Sequence, residues 1–185
     1  MTERIFEDHD FQIQPLADTE YDTCTFIGAD LSSSDLSEIV FTDCTFRDCN
    51  LSNAKLLKTA FREVSFSGCK MMGLHFEDCA PFFTAPVFQN CQLSLSSFLD
   101  CKLQGVIFRS CILVEADFSN AVLTGANFDA SDLAKAVFDN TDLRKADFRN
   151  AINFVIDPNK NNVRKAHFSL EGSQGLLIHF GVIID

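Results

Sequence analysis

The feature that most constrains the fold of this chain is a large apolar residue at every fifth position. In one uninterrupted stretch the series reads Phe118, Leu123, Phe128, Leu133, Phe138, Leu143 and Phe148. Five residues of α-helix rotate through about 500°, so the large residues would spread around the whole helix. In a continuous strand, an odd period would send them to alternate faces. The period therefore excludes both an amphipathic helix and a single long strand.

A small residue stands two positions before nearly every large one. Ala116 precedes Phe118 in this way, and Ala146 precedes Phe148. Two residues that are two positions apart on a short extended segment lie on the same face, so both can point inward. The chain must then turn before the next small and large pair also points inward. The pattern therefore predicts a coil of short extended sides joined by corners.

The number of sides in each coil follows from which residues match when coils are stacked. A step of 20 residues places like on like, as in the series Phe88, Phe108, Phe128, Phe148 and Phe168. A coil of 15 residues would instead stack Phe88 on Leu103, and a two-sided coil of 10 residues would enclose no interior. We therefore predict an all-β solenoid, a quadrilateral β-helix with four five-residue sides in each coil of about 20 residues.

The repeats define one domain over residues 1–185, with the β-helix itself at 24–151. From Phe26 to Phe76 the small position is small in nine of eleven repeats, and from Phe88 to Phe148 in twelve of thirteen. The connecting stretch EDCAPFFTAPVF is two residues longer than two repeats, which predicts a small insertion near 77–87. Residues 1–23 keep the period with polar residues at the small positions, which predicts a degenerate N-terminal cap.

The C-terminal segment 152–185 is expected to close the solenoid. It should form one more distorted coil and then a short C-terminal α-helix, capped by Ser169 and ended by Gly181 after Phe180. Such a helix can plug the last coil, and its remaining apolar residues would be exposed unless a second copy covers them. We therefore predict a homodimer interface formed by Leu176, Leu177, Phe180, Val182, Ile183 and Ile184.

The net charge of −11 is distributed unevenly along the chain. Residues 1–50 carry 12 acidic and 2 basic residues, whereas residues 51–110 carry 4 acidic and 6 basic residues. Because binding to nucleic acid requires a basic surface, this distribution argues against a nucleic-acid partner. It is suited to a basic partner, but charge alone favours a rod whose acidic surface simply maintains solubility.

No motif in the sequence indicates catalysis, a cofactor or a metal. The eight cysteines occupy small inward positions, where a free thiol substitutes for Ala or Ser, so we expect reduced structural thiols. The four histidines are far apart, and the sequence contains no nucleophile elbow, phosphate-binding loop or zinc-binding motif. We also find no apolar run of about 18 residues and no signal peptide. The sequence therefore predicts a cytoplasmic protein that is neither an enzyme nor associated with a membrane.

The repeats ADFSN, ANFDA, SDLAK and ADFRN resemble the pentapeptide-repeat family, whose members fold as right-handed, four-sided β-helices. The tail NFVIDPNKNNVRKAHFSLEGSQGLLIHFGVIID is similar to that of a bacterial subgroup of albicidin-resistance, microcin-immunity and Qnr proteins. This resemblance implies a homodimer, joined through the C-terminus, that binds DNA gyrase or topoisomerase IV as a DNA mimic and modulates the enzyme or protects it from toxins or drugs. The alternative is a rigid dimeric interaction scaffold for another partner.

If the resemblance holds, acidic residues in the coils nearer the dimer centre are the candidate contacts with the topoisomerase. They are Glu115, Asp117, Asp129, Asp132, Asp139, Asp142 and Asp147. The same outward positions recur in every repeat, so the sequence selects these residues by their place along the rod.

Overall fold

The computed structural model describes residues 4–80 and 86–182, and it is a β-solenoid. Within these residues nine strands of three residues each form two sheets in which every pairing is parallel. The six-stranded sheet consists of β1 (Ile5–Glu7), β3 (Thr25–Ile27), β5 (Thr45–Arg47), β7 (Ser65–Ser67), β8 (Val87–Gln89) and β9 (Ile107–Arg109). The three-stranded sheet consists of β2 (Glu20–Asp22), β4 (Val40–Thr42) and β6 (Ala60–Arg62).

Each coil has four sides, as the sequence predicts. The paired strands are 20 residues apart, with Phe26 opposite Phe46 and Phe41 opposite Phe61. Single bridges at the same spacing form the other two sides and continue the sheets toward the C-terminus. We name the sides by the inward-facing residues of one coil: face A at Phe108, face B at Leu113, face C at Phe118 and face D at Leu123.

The interior is filled by stacked side chains. On face A, neighbouring phenylalanine rings lie 4.5–5.3 Å apart between centroids and within 17° of parallel. Offset stacking of this kind adds to the free energy gained from burying each ring. The column consists of Phe6, Phe26, Phe46, Phe66, Phe88, Phe108, Phe128, Phe148 and Phe168.

A change of direction at the corners, with a left-handed residue at most of them, explains the five-residue period. In one repeat the N–H of Ala121 donates to the carbonyl of Phe118 at 3.0 Å, and Asn120 between them has φ 58°. This geometry is that of a type II turn, in which the third residue is left-handed. Asp117 supports the turn, because its Oδ1 accepts a hydrogen bond from the N–H of Ser119 at 2.8 Å. The side chain of the left-handed residue lies at the corner, so corner residues one coil apart form a ridge along the rod.

The break in the repeat appears as a change of register. Strand β7 pairs with β8 at a spacing of 22 residues, with Phe66 opposite Phe88. A 3₁₀ helix at Phe76–Asp78 begins the break, and residues 81–85 of the predicted insertion lie outside the described residues. The two extra residues are therefore accommodated between faces C and A, and the stacking of the phenylalanines on face A continues across them.

At the N-terminal end, Arg4 covers the aromatic rings of the first coil. Its guanidinium lies 5.6 Å from the ring centroid of Phe6 and 5.1 Å from that of Tyr21. An ion pair with Asp18 at 2.7 Å holds it in place. A cation over aromatic faces closes the apolar end with a polar group, which protects the first coil from stacking on another molecule.

At the C-terminal end the predicted α-helix is wrong, because the segment forms two 3₁₀ helices at Gly172–Leu176 and Ile178–Phe180. The Oγ of Ser169 accepts a hydrogen bond from the N–H of Gly172 at 3.0 Å, although the N-cap residue of the first helix is Glu171 and not the predicted Ser169. Gly181 ends the second helix with φ 63°. Gly175 lies so close to Phe154 that a side chain there would collide with the Phe154 carbonyl. Since close packing on the last coil and two helix-weakening glycines act together, no regular α-helix forms.

Candidate interaction surfaces

Polar side chains inside the solenoid form hydrogen bonds with its backbone carbonyls. At the small inward position, a hydroxyl or thiol donates to a carbonyl in the preceding coil. Thr59 donates to Leu36 at 2.7 Å, Thr141 donates to Phe118 at 2.9 Å, and the thiol of Cys49 donates to Phe26 at 3.4 Å. These bonds explain why Cys, Ser and Thr alternate with Ala at this position.

The cysteines have the properties of structural thiols. All eight are free, and six of them are buried. Burial raises the pKa of Cys44 to about 11 and that of Cys101 to about 12, so both thiols are protonated at neutral pH. In the described part of the chain, His, Cys, Asp and Glu side chains form no group of three that is suited to a metal ion. The interior therefore offers packing and hydrogen bonding, and the functional surface must be sought outside.

A groove of about 750 Å³ lies between the last coil and the C-terminal segment. Arg149 and Glu171 contribute its charged groups, while Phe154 and Ile178 contribute apolar surface. Nothing in this lining pairs a nucleophile with a base. The groove is best understood as the seam where the C-terminal segment packs on the solenoid.

The structure does not bring the seven predicted acidic contacts together, because they lie on all four sides of the rod. Bridges place Asp147 on face A, Asp132 on face B, Asp117 on face C and Asp142 on face D. The remaining three, Glu115, Asp129 and Asp139, lie at a corner or beside these columns. No single flat partner surface can contact all seven in one protomer.

Most of these seven acids are also paired within the chain. Five form ion pairs, and Asp117 and Asp132 accept hydrogen bonds that stabilise turns. In addition, Arg144 and Arg149 lower the pKa of the carboxyls of Asp142 and Asp147 through hydrogen bonds. The five ion pairs are Glu115 with Lys135 at 2.9 Å, Asp129 with Arg109 at 3.7 Å, Asp139 with Lys160 at 4.0 Å, Asp142 with Arg144 at 2.6 Å and Asp147 with Arg149 at 2.7 Å.

A second set of acids, which the sequence analysis did not select, converges on face D in the N-terminal half. Glu38 and Asp100 lie on the corner ridge between faces C and D, and Asp43 and Glu63 lie on the ridge between faces D and A. Of these, only Glu38 has an ion pair among the described residues, with Lys58 at 3.1 Å. We call this surface the acidic face and define it as Glu20, Asp22, Glu38, Asp43, Glu63, Asp78 and Asp100.

The acidic face was not predicted from the sequence, because its residues are far apart in the chain and occupy different positions within their repeats. The signal that would have found it is the corner position itself. Once the left-handed residues are assigned to ridges, Asp43 and Glu63 become neighbours one coil apart. Three cations also lie on this surface, namely Lys58, Arg62 and Lys102. The acidic face therefore has a net negative charge with a mixed rim.

The predicted dimer segment divides into a packed part and an exposed part. Leu176 packs against the core of its own chain, whereas Leu177, Phe180 and Val182 are 38%, 53% and 51% exposed. Ile178, which was not predicted, is 58% exposed. Ile183 and Ile184 lie outside the described residues. An apolar surface therefore remains at the C-terminal end.

Within the described ranges, no helix has the length and apolar character to cross a membrane.

Comparison with known proteins agrees with this architecture. Residues 19–81 match the profile of the pentapeptide repeat region, and residues 111–150 match the profile of eight copies of the pentapeptide repeat. A search of curated protein sequences gives no significant match.

Solved structures that overlay on the chain include a trypsin-treated form of QnrB1, a plasmid-mediated fluoroquinolone resistance protein. It is 17% identical, covers 100% of both chains and has a TM-score of 0.55. Full-length QnrB1 is 16% identical, with coverage of 97% and 98% and a TM-score of 0.49. HetL from the cyanobacterium Nostoc is 18% identical, with coverage of 83% and 77% and a TM-score of 0.37. At such identities the likeness shows the fold alone. Together, the two profile matches and the four-sided coil show that the chain belongs to the pentapeptide-repeat family.

Proposed function

We propose that this protein binds a bacterial type II topoisomerase, DNA gyrase or topoisomerase IV, as a DNA mimic, and thereby modulates the enzyme or protects it against a toxin or drug. The observation that carries the proposal is the acidic face, on which two ridges of carboxylates flank one side of a narrow rod. The resemblance of the tail to the gyrase-interacting subgroup supports the choice of partner. So does the shared fold with a fluoroquinolone resistance protein.

The spacing of the acidic face is compatible with imitation of a nucleic-acid backbone. From Glu20 to Asp100 it extends over four coils, or about 19 Å at about 4.8 Å per coil. Duplex DNA carries about 11 charges over that length, at one charge per ~1.7 Å. The acidic face supplies seven carboxylates there, and among the described residues most of them form no ion pair within the chain. Unpaired carboxylates can bind a basic partner without first breaking an ion pair, so this surface is better suited to the role than the seven acids predicted from sequence.

We further propose that two copies associate through the exposed apolar residues Leu177, Ile178, Phe180 and Val182, with Ile183 and Ile184 as additional predicted contacts. Such a dimer would place the two acidic faces toward the far ends of a doubled rod. Substitution of Ile178 and Phe180 by Asp should convert the dimer to a monomer, as measured by sedimentation equilibrium. In this proposal the protein acts in the cytoplasm by binding, without catalysis.

A gyrase supercoiling assay with and without a fluoroquinolone tests the proposed function. The informative variant is Asp43→Asn/Glu63→Gln/Asp100→Asn, which removes three corner charges of the acidic face. The matched variant is Asp117→Asn/Asp142→Asn/Asp147→Asn, which removes three of the acids predicted from sequence. We expect the wild type to inhibit supercoiling or to relieve the drug, and we expect the first variant to lose more of that effect than the second.

The alternative function, a dimeric scaffold for another partner, predicts a different result. In that case the wild type would change neither supercoiling nor drug sensitivity, with gyrase and topoisomerase IV both taken from a matched host. If the second variant lost more effect than the first, the topoisomerase would remain the partner, but the contact surface would lie in the C-terminal coils.

A further inference from the structure

In several places, charged side chains stacked one coil apart on this rod have opposite signs. Adjacent coils bring residues 20 positions apart side by side, where opposite charges attract and like charges destabilise the pairing. Four ion pairs follow this pattern: Asp35 with Lys55 at 3.7 Å, Glu38 with Lys58 at 3.1 Å, Arg109 with Asp129 at 3.7 Å and Glu115 with Lys135 at 2.9 Å. A place where cations are stacked on cations therefore calls for an explanation.

Such a place lies on face D near its C-terminal end. Arg144 is stacked below Arg164, and Lys145 is stacked below Lys165, each pair 20 residues apart. The N–H of Lys145 donates to the carbonyl of Arg164 at 3.1 Å, so the two coils are in direct contact. All four side chains are exposed, and together they line a depression of about 180 Å³. We call these four residues the cationic corner.

Among the residues that the structure describes, one carboxylate forms an ion pair with this group. Asp142 accepts three hydrogen bonds from the Arg144 side chain, from Nε to Oδ1 at 2.9 Å, from Nε to Oδ2 at 3.0 Å and from Nη2 to Oδ2 at 2.6 Å. Within 4–80 and 86–182, Lys145, Arg164 and Lys165 form no ion pair. Three uncompensated cations thus share one small depression on a chain whose net charge is −11.

We propose that the cationic corner is a binding site for a phosphoryl oxyanion, either free inorganic phosphate or a phosphate group of a larger ligand. A phosphate presents several acceptor oxygens to one guanidinium and two ammonium groups, and charge-assisted hydrogen bonds of this kind are strong. A bound anion would also relieve the repulsion between the stacked cations. The site lies on the same side of the rod as the acidic face but at the other end, and it does not depend on the proposed topoisomerase partner.

The chain offers a closely matched control for a test. Lys58, Lys135, Lys145 and Lys165 all occupy the corner position, with φ values of 58°, 59°, 59° and 62°. The first two each form an ion pair with an acid one coil below, and the last two are stacked on each other. The variant Lys145→Gln/Lys165→Gln therefore tests the cationic corner, and Lys58→Gln/Lys135→Gln removes the same charge from the same backbone geometry.

The experiment is titration calorimetry at low ionic strength with the full chain, with inorganic phosphate and a 12-base-pair DNA duplex as separate probes. We expect at least one probe to bind, with a loss of affinity of about tenfold or more in Lys145→Gln/Lys165→Gln and little change in the control variant. Binding of phosphate with similar strength to the duplex would identify a free phosphoryl ligand. Much tighter binding of the duplex would identify a phosphodiester backbone.

Three results would overturn the proposal. The first is no binding of either probe by the wild type. The second is equal loss in both lysine variants, which would indicate nonspecific attraction to net charge. The third is salt-sensitive self-association of the wild type that Lys145→Gln/Lys165→Gln abolishes, because the occupant of the cationic corner would then be the acidic face of a second copy.

Discussion

The two ends of face D share the left-handed corner residue and carry opposite charges. Toward the N-terminus the corner ridge presents Asp43 and Glu63, and toward the C-terminus the same ridge presents Lys145 and Lys165. All four residues have left-handed φ values between 52° and 62°. The corners at Asp43 and Glu63 directly follow strands β4 and β6, whereas those at Lys145 and Lys165 are closed by backbone hydrogen bonds, from Ala146 to Leu143 at 3.1 Å and from Ala166 to Val163 at 3.0 Å. The difference teaches that the repeat fixes the interior and the corners, while it leaves the outward side chains free to make different surfaces along one rod.

The largest expected effect is on stability, and it should be the same for buried phenylalanines in both halves of the rod. Phe46 in the N-terminal half and Phe128 in the C-terminal half are both fully buried in the face A column. Each Phe→Ala substitution should lower the free energy of unfolding by about 3–5 kcal/mol, through lost burial and the cavity left behind. Urea denaturation measures this, with Leu95→Ala, at an exposed position, as the control. A difference above about 2 kcal/mol between the two substitutions would show that the halves are not equivalent inside.

A second pair of substitutions tests the hydrogen bonds between coils. Thr59 and Thr141 occupy equivalent inward positions, and each hydroxyl donates to a carbonyl of the preceding coil. Thr→Val at either site keeps the shape and removes the hydroxyl donor, while the carbonyl keeps its hydrogen bond from a backbone N–H. We expect each variant to lose about 1–2 kcal/mol of unfolding free energy. Unchanged stability in both would mean that these hydroxyls fill space and contribute no net hydrogen-bond energy.

The third prediction concerns the surface, where the two halves should respond with opposite signs. Asp43→Asn removes one of two like charges stacked on the same ridge, and Asn tolerates the left-handed corner, so the melting temperature should rise. Asp142→Asn removes the partner of Arg144, so the melting temperature should fall. Each shift should be about 2 °C at low salt and smaller at high salt. If both substitutions shifted the melting temperature in the same direction, the proposed difference between Asp43 and the ion-paired Asp142 would be wrong.

The smallest expected effect is the part of the pH dependence of stability that comes from two ion pairs in the C-terminal coils. Arg144 and Arg149 lower the pKa of Asp142 and Asp147 in the folded state. These carboxylates therefore stabilise the fold above the unfolded pKa of about 3.9, and the contribution is lost as pH falls through the lower folded pKa. The Asp142→Asn/Asp147→Asn variant should accordingly lose less stability than the wild type between pH 5 and pH 3. Thermal melts at both pH values check this. An equal loss of stability in the variant and the wild type would contradict a stabilising role of the two ion pairs.

Most of the fold follows from the sequence because one residue in five is committed to the interior. The step of 20 residues that stacks Phe88 on Phe108 predicted four sides per coil, and the structure has that register. The C-terminal helix was less accessible to prediction. Its 3₁₀ form depends on the close approach of Gly175 to Phe154, a tertiary contact that no local pattern reveals.

The candidate surface was harder to predict, since outward positions carry no periodic signal of their own. Choosing acids by their distance from the C-terminus selected residues such as Asp142 and Asp147, which are paired with arginines two positions away. The unpaired acids became visible only when corner residues were assigned to ridges. Which charged residues become neighbours depends on the coil and the side of the rod on which each lies, and not on their distance in sequence.

The most direct test of the account is displacement of a labelled DNA duplex from gyrase by the purified protein, followed by fluorescence anisotropy. We expect the wild type to displace the duplex competitively, so that more DNA requires proportionally more protein. Asp43→Asn/Glu63→Gln/Asp100→Asn should require a substantially higher concentration, and Asp117→Asn/Asp142→Asn/Asp147→Asn should behave nearly as the wild type. Failure of the wild type to displace the duplex at any concentration, or equal weakening by both variants, would contradict the assignment of the acidic face as the DNA-like surface.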